Sequence, residues 1–417
     1  MNYFTSNTNE MKRKIVNYTK NMSSGLGRIE TKFLYDVLYG ICASKDIKIS
    51  NIARVLHENI KLSNTIERLC IRLESFNNID LVNQNYYKYI NSMAPEYPVS
   101  IFDDSDITKI YGRKFESIDV VRDASDPNNS YKPGYHMCNA NIISKEEKQP
   151  IPIYSNVYST KSDNFVSANE ETYKSIDAVR NCLKRKSLMV FDRGYDDIKL
   201  FHYVLDGGDD LLVRLKENRC FLFKGKKKKL NEVYESRKGK VKMHLLFQGE
   251  EKDVYISYTR VILPADKKEY TLIFVYGLGK SEKFMLLTNK KIENKEDAIK
   301  LVRIYMDRWR IETYHRSIKT EYNYEDIRVR NLKAINNLTY FLNLIITLII
   351  KITEEMDRKL LAHKILDEAK TLRNKVGVWI TQIAFGIHVV LRRAIKGVRS
   401  FYEIPKKEKI YQLSLKL

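Results

Sequence analysis

The sequence predicts an α/β fold whose core carries an inserted β-rich domain and is flanked by helical N-terminal and C-terminal regions. Three observations predict it. The first 95 or so residues show the apolar spacing of helices. Short apolar segments then alternate with a helical pattern in the order β-β-β-α-β. A second group of strand patterns, from about 205 to 290, interrupts this core.

The composition of the chain bounds its domain number and its partners. Its 417 residues are too many for one compact core and predict two to four domains. Lys and Arg number 73 against 52 Asp and Glu, a formal net charge of +21. Such an excess indicates a polyanionic partner, either nucleic acid or an anionic membrane surface. The alternative is a solubility surface that reflects a codon bias toward Lys.

The five cysteines and the N-terminal segment predict a cytoplasmic protein. The cysteines are odd in number and widely spaced, with no C-x-x-C pair, which favours a reducing compartment without a zinc site or disulfide framework. The N-terminus lacks the apolar run of a signal peptide. The longest apolar segment, Leu338–Ile350, is too short to span a bilayer and predicts a buried helix.

In the N-terminal region, the segment from Ser50 to Leu73 predicts two helices around a short turn. Ser50 and Ser63 are candidate N-caps. Arg68 and Arg72 fall on the open face of the second helix, which fits a helix-turn-helix that reads a DNA groove. A plain helical hairpin fits the pattern equally well.

The core strands follow from Tyr97 onward. Pro98–Asp104 and Ser187–Asp192 are short, apolar segments that predict buried strands. Tyr135–Tyr158 predicts a strand, a turn and a strand, and Glu170–Arg185 predicts a helix.

The β-rich block predicts five further strands before the chain turns helical from Lys295 to about Tyr322. These strands are predicted from DLLVRL, KVKMHLLF, VYISYTRVIL, YTLIFVY and FMLLTN. The lysine run Lys224–Lys229 is interpreted as a solvated hairpin tip, with phosphate binding as the alternative.

One polar face recurs in the helical segment after Lys295. At 100° per residue, four side chains fall within about 60° of arc, and Arg316 lies at the edge of this face. The four are Tyr305, Arg308, Glu312 and Lys319. The alternative is an ordinary surface helix stabilised by ion pairs at i,i+4 spacing.

Carboxylates at the ends of the two buried strands favour a functional role for this polar face. Asp103 and Asp104 end one strand, and Asp192 ends another. A carboxylate that follows an apolar strand is costly unless it is used or paired, and sites in α/β sheets form at strand ends. Together with Glu312, these acids would make an all-oxygen site of the kind that suits Mg²⁺ or Mn²⁺.

These motifs together resemble those of the DDE transposases of insertion sequence family 4. The Y-x2-R-x3-E-x6-K pattern resembles the signature of that family, and FDDSDI and FDRGYD resemble its two aspartate motifs. The resemblance covers residues from about 45 to 350. It implies an RNase H-like core in which Asp103, Asp192 and Glu312 form the catalytic triad and hold two Mg²⁺ ions, with Mn²⁺ as a substitute. Asp104 is the main alternative to Asp103.

The resemblance also implies the partners. Tyr305, Arg308 and Lys319, with Arg316 and Arg68, would contact DNA. The substrates would be the terminal inverted repeats of a transposon and a target duplex, in a homodimeric synaptic complex without a membrane. One departure is Ala124, where relatives are expected to carry Gly. A turn that requires a positive φ would be strained by Ala.

The change of patterns along the sequence divides the chain into five parts. These are a helical DNA-binding region, a first core part, the β-rich insertion, a second core part and a helical C-terminal region, at 1–95, 96–204, 205–293, 294–350 and 351–417. The function that the resemblance implies is cut-and-paste transposition in a bacterial, nucleoid-associated setting. Three alternatives are a catalytically inactive transposase-derived DNA-binding protein, a nuclease or resolvase with a related core, and a membrane-surface protein.

Overall fold

The computed structural model describes residues 3–123, 126, 128, 130–146, 148–247, 250–279, 283–355, 360–369 and 379–402. Ala124 lies outside the described residues. The chain forms two compact units, Met1–Asn85 with Glu355–Leu417, and Tyr86–Glu354. The five-part division of the sequence stays a prediction.

The first unit is built from helices. Its helices are α1 Tyr3–Met22, α2 Arg28–Ser44, α3 Ile49–Val55, α4 Leu62–Ser75, α12 Leu360–Glu368 and α13 Trp379–Arg392, while α5 Ile79–Asn91 contains the unit boundary. The predicted helix pair is confirmed as α3 and α4, but the predicted N-caps Ser50 and Ser63 are wrong. The helix α3 begins earlier because the Asp46 carboxylate accepts the backbone N–H of Lys48 at 2.7 Å, just before the helix.

The second unit contains a large mixed sheet with helices. Its first strands are β1 Val99–Thr108, β2 Asp119–Arg122, β3 Tyr131–Ile143, β4 Pro150–Tyr158, β5 Leu188–Phe191 and β6 Asp210–Arg214. The helix α6, Ala168–Leu183, precedes β5, and α7, Ile198–Asp206, precedes β6. The predicted β-β-β-α-β order is therefore confirmed, with β2 as an additional short strand. The strands β1, β5 and β6 are parallel, whereas β3 is antiparallel to both β1 and β4.

The β-rich block extends this same sheet. Its elements are β7 Cys220–Phe223, β8 Lys226–Lys229, α8 Leu230–Glu235, β9 Val241–Phe247, β10 Glu250–Ile262, β11 Glu269–Tyr276 and β12 Phe284–Thr288. The strand β12 pairs antiparallel with β6, so the sheet runs β2-β3-β1-β5-β6-β12-β11-β10-β7-β8. The five predicted strands are confirmed. The interpretation of the lysine run as a hairpin tip holds for the turn at Lys224 and Gly225, whereas Lys226–Lys229 form the second strand of that hairpin, paired with β7.

Three helices complete the second unit: α9 Lys295–Asp307, α10 Arg310–Arg316 and α11 Leu332–Glu354. The predicted buried helix is confirmed as part of α11, which packs against β4. The side-chain amide of Asn336 donates to Val157 O and accepts from Val157 N, which fixes the helix to that strand. Within the described residues, α11 is long and apolar enough to cross a membrane by length and composition, but most of it is buried in the protein.

Candidate active site

Asp103 and Asp192 lie side by side where two parallel strands stop pairing. The ladder between β1 and β5 ends at the pair Phe102 and Phe191, whose rings stack with centroids 4.6 Å apart. Each aspartate directly follows one of these phenylalanines. The prediction that Asp103 ends its strand is wrong, because β1 continues to Thr108 by pairing with β3.

The segment that carries Glu312 is broken into two helices, so the prediction of one continuous helix is wrong. Between α9 and α10, the N–H of Arg308 donates to Tyr305 O at 3.1 Å, and the N–H of Glu312 donates to Trp309 O at 3.0 Å. These i→i+3 bonds tighten the backbone and change the direction of the following side chains. The Trp309 ring packs against Phe247, with centroids 4.9 Å apart, while Arg308 is buried toward the aspartates.

A second irregularity follows α10. Residues Ser317–Glu321 form a turn of π-helix, which contains Lys319. Such turns occur frequently at functional sites because they reorient side chains within a helical segment.

The guanidinium of Arg308 joins the two aspartates. Its Nη1 lies 3.5 Å from Asp103 Oδ1, and its Nη2 lies 3.8 Å from Asp192 Oδ2. The hydroxyl of Tyr305 donates to Asp192 Oδ1 at 2.9 Å. The Nε2 atom of His315 lies 3.5 Å from Asp103 Oδ2. Each aspartate therefore faces Arg308 and one further polar side chain.

The pKa of Asp192 reflects these contacts. Burial acts to raise it, but the Arg308 guanidinium, the N–H of Arg193 and the Tyr305 hydroxyl together hold the pKa below its usual range. Asp192 is therefore an anion in the folded protein at neutral pH.

The pKa of Glu312 is instead shifted upward, because desolvation outweighs the opposing charge of Arg308. Its side chain keeps contact with solvent, but the surrounding protein atoms raise its pKa by desolvation. Asp103 and Asp192 raise the pKa further, while Arg308 opposes them. This response shows that Glu312 lies within electrostatic reach of both aspartates.

Asp104 interacts with different partners from Asp103, because its carboxyl meets Tyr195 and Cys138, whereas that of Asp103 faces Arg308 and His315. Both aspartates line a cleft of about 570 Å³ that also includes Asp192 and Tyr195. Asp104 keeps contact with solvent, yet protein atoms crowd its carboxyl in this concave surface. Desolvation raises the pKa of Asp104 to about 6, and Asp103 adds to this effect.

This pKa makes Asp104 a source of pH-dependent instability. Since its folded pKa lies above the value of about 3.9 for an unfolded chain, stability is lost as the pH rises from about 4 through 6. We expect Asp104→Asn to raise the melting temperature at pH 7.5, and the gain to shrink toward pH 4. Thermal melts across this range would measure it, with the exposed Asp163→Asn as the control. A gain independent of pH would contradict the assignment.

Two of the predicted DNA contacts lie away from the aspartates. Lys319 is paired with Glu325, with Nζ 3.5 Å from Oε1. The Arg316 side chain is exposed. The structure therefore brings together Tyr305, Arg308 and the three predicted acids, and leaves Lys319 and Arg316 toward the surface. Their roles as DNA contacts stay predictions.

Arg68, the remaining predicted DNA contact, belongs to an ion-pair network in the first unit. Its Nη1 lies 3.0 Å from Asp36 Oδ2, and its Nη2 lies 2.9 Å from Glu58 Oε1. Both carboxylates are nearly fully buried, and Arg399 pairs with them as well. This position gives Arg68 a structural role, whatever its part in DNA binding.

We expect Arg68→Ala to destabilise the protein by about 2 kcal/mol, because it leaves two buried carboxylates short of positive charge. The figure is below that for a fully buried pair, since Arg68 is partly exposed. The exposed Arg72→Ala, on the same helix, is the control and should leave stability nearly unchanged. Urea unfolding of both variants would measure the difference. Equal stability of the two variants would rule out the structural role.

Two further side chains of the site, His315 and Arg214, were not predicted from the sequence as part of it. His315, on α10, faces Asp103. Arg214 follows Val213, which pairs with Phe191, and it lowers the pKa of Asp192. The available signal for Arg214 was its place at the end of the strand pattern DLLVRL, beside the strand that precedes Asp192.

The three acids are the candidate ligands of a divalent metal. Their donor chemistry fits, because all three offer carboxylate oxygens, the ligands that Mg²⁺ prefers. The arrangement does not enclose an ion as it stands. Across the described part of the chain, no group of three His, Cys, Asp or Glu side chains is close enough to hold one. Arg308 lies between Asp103 and Asp192 instead.

Solved structures of similar chains include two at low sequence identity. The piggyBac transposase, from a cryo-EM structure of its synaptic complex with hairpin DNA, is 12% identical, with a TM-score of 0.47 and coverage of 96% of this chain and 81% of that chain. The NurA nuclease from Sulfolobus solfataricus is 11% identical, with a TM-score of 0.26 and coverage of 59% and 82%. None of the curated proteins matches the chain.

A family model described as the transposase DDE domain matches residues 95–348. This segment contains the three acids and Arg308 and makes up more than half of the 417 residues. The chain therefore belongs to the transposase DDE domain family.

Proposed function

We propose that this protein is a transposase of the insertion sequence family 4 type that acts by cut-and-paste transposition. It binds the ends of an insertion sequence, cleaves them by divalent-metal-dependent phosphodiester hydrolysis and joins the 3′ ends to target DNA. One observation carries the proposal. Asp103 and Asp192, from separate strands, both face the guanidinium of the segment that carries Glu312. The Tyr-Arg-Glu-Lys signature implies this arrangement of two aspartates around the segment of the glutamate.

We further assign an RNase H-like core to the second unit. The strand order β4-β3-β1-β5-β6, with three antiparallel strands followed by two strands parallel to β1, supports it. The β-rich insertion is predicted at 205–293, but its first strand, β6, pairs with β5 of the core, so the inserted part proper follows β6 and ends before α9. The helices of residues 1–95 and 351–417 then flank the catalytic part.

In this proposal, Asp103, Asp192 and Glu312 hold two Mg²⁺ ions, for which Mn²⁺ can substitute. When bound, such ions activate a water or a DNA 3′-hydroxyl and neutralise the leaving oxygen. The chain's own task is to place the carboxylates: Tyr305 fixes one oxygen of Asp192, and the β1–β5 ladder sets the spacing of the two aspartates. No Ser or Tyr nucleophile is required.

The cationic side chains position the DNA. Arg308, Arg316 and Lys319 follow one another along the segment that carries Glu312, so their phosphate contacts would lie on the segment that supplies the third acid. Arg68 would add a contact from the first unit. The partners are double-stranded transposon ends and target DNA, and a homodimer would join the two ends, with the helices after residue 350 as its interface. A nucleoid-associated, cytoplasmic location follows from this substrate.

A strand-cleavage assay tests the proposal. The purified protein is mixed with labelled DNA that flanks its own gene on each side, where the ends of its element lie. We expect nicking at a defined position with Mg²⁺ or Mn²⁺ and none with EDTA. Unrelated DNA of the same length is the control. Binding without metal-dependent cleavage would overturn the proposal in favour of an inactive, transposase-derived DNA-binding protein.

A further inference from the structure

Arg308 is deeply buried but loosely held. Its side chain is only 6% exposed. Its nearest distances to Asp103 and Asp192, 3.5 and 3.8 Å, exceed the roughly 2.7–2.9 Å of a well-formed charge-assisted hydrogen bond. Its Nε atom is buried and has no hydrogen-bond partner among the described residues. A buried guanidinium usually fills its donors, so this one lies in a position that is not its best-bonded one.

Arg308 is nevertheless the counter-charge of the acids where it lies. Its guanidinium faces both Asp103 and Asp192, and Glu312 follows four residues later on the same segment.

We propose that Arg308 is an exchangeable counter-charge, which neutralises Asp103 and Asp192 in the metal-free protein and leaves them when divalent cations bind. The inference rests on the proposed function, because it takes the three acids as the metal ligands. It accounts for the one feature that did not fit a metal site, namely a guanidinium between the two aspartates. Once displaced, the guanidinium can bind a phosphate of the DNA, which is the contact that the signature implies.

Two consequences follow from competition for the same oxygens. Removal of the Arg308 charge must strengthen metal binding, because the metal no longer displaces a cation. A DNA phosphate that draws Arg308 away must strengthen it as well, since coupling between two ligands is reciprocal. The acids would then bind metal tightly only when DNA is docked. A guanidinium that merely orients the carboxylates for the metal predicts the opposite sign, because its removal would weaken metal binding.

The test is a titration of Mn²⁺ against the full-length protein, read from the electron paramagnetic resonance signal of the free ion. We expect Arg308→Gln to bind Mn²⁺ about tenfold more tightly than the wild type. Arg310→Gln is the matched control and should be unchanged, because its Nε lies 3.1 Å from Asp307. Asp192→Asn should lose the binding, which locates the ion. Equal or weaker binding by Arg308→Gln overturns the inference.

A second measurement guards against a variant that is simply less stable. Without metal, Arg308→Gln should melt at a lower temperature than the wild type, since its acids repel one another. Added Mn²⁺ should raise its melting temperature more than that of the wild type, because tighter binding stabilises the folded state more. A smaller rise in the melting temperature of Arg308→Gln than of the wild type would overturn the inference about Arg308, but not the assignment of the acids as a metal site. Absence of Mn²⁺ binding by the wild type and by Arg308→Gln, together with no metal-dependent cleavage, overturns the proposed function as well.

Discussion

Asp103→Asn is expected to lower the cleavage of transposon-end DNA by at least about a thousandfold, and Asp104→Asn to lower it by no more than about tenfold. Loss of a partner that only supports a metal ligand typically costs about 10- to 100-fold, so loss of a ligand must cost more. Asp103 faces Arg308 and His315, on the side of Glu312. The Asp104 carboxyl meets Tyr195 and Cys138 instead, and desolvation raises its pKa to about 6.

Single-turnover cleavage with Mg²⁺ would measure both variants. An electrophoretic mobility shift in EDTA must show that each variant still binds the DNA, so that the loss is assigned to chemistry. Glu312→Gln should match Asp103→Asn, since it removes one charge at nearly constant shape. If Asp104→Asn were inactive and Asp103→Asn active, Asp104 would be the first ligand and the assignment on β1 would be reversed.

Phe191→Ala is expected to lower the free energy of unfolding of the second unit by about 3–5 kcal/mol. Phe191 is fully buried, and its ring stacks on Phe102 with centroids 4.6 Å apart. Removal of the ring leaves a cavity directly beneath the two aspartates. The packing there fixes the ladder end that sets their spacing, so cleavage should fall together with stability.

Urea unfolding would measure the loss. Phe191→Leu is the matched control, because it keeps much of the volume and should cost less than about 1.5 kcal/mol. The exposed Val120→Ala should leave stability nearly unchanged. A loss below 1 kcal/mol for Phe191→Ala would show that the surrounding core closes over the gap and that the stacked pair does not support the site.

The strands of the core were predictable because their information is local. Segments such as Ser187–Asp192 are apolar and bounded by polar residues, and burial on both faces of a sheet demands that composition. The acids that follow them could be predicted for the same reason. A charged side chain directly after a buried strand costs free energy unless it is paired, hydrogen-bonded or used in a site.

The break at Arg308 could not be predicted, because the apolar spacing runs through it without a Gly or Pro. Its cause is tertiary. Trp309 packs on Phe247 and near Phe284, which come from strands far away in the sequence. The same limit applies to Arg68, whose side chain looks free on a helix face until Asp36 and Glu58 are placed beside it.

The strand β8 shows that a polar composition does not exclude a strand. Four consecutive lysines favour a solvated loop, yet Lys226–Lys229 pair with β7 along the end of the sheet. Lysines on an edge strand discourage pairing with another molecule, so their charge suits this position.

The pairing of β6 with β12 has a consequence for how such chains can differ in length. Leu212 and Thr288 are partners in the ladder, so the segment between them begins and ends on neighbouring strands. Residues gained or lost at the turns of that segment change the sequence distance between Asp192 and Glu312, but they leave both ends on the same ladder. A longer loop also costs little extra closure entropy, about 0.6 kcal/mol for each doubling. The number of residues between Asp192 and Glu312 therefore reports the length of the segment inserted between β6 and β12. It does not report the distance in space between the two acids.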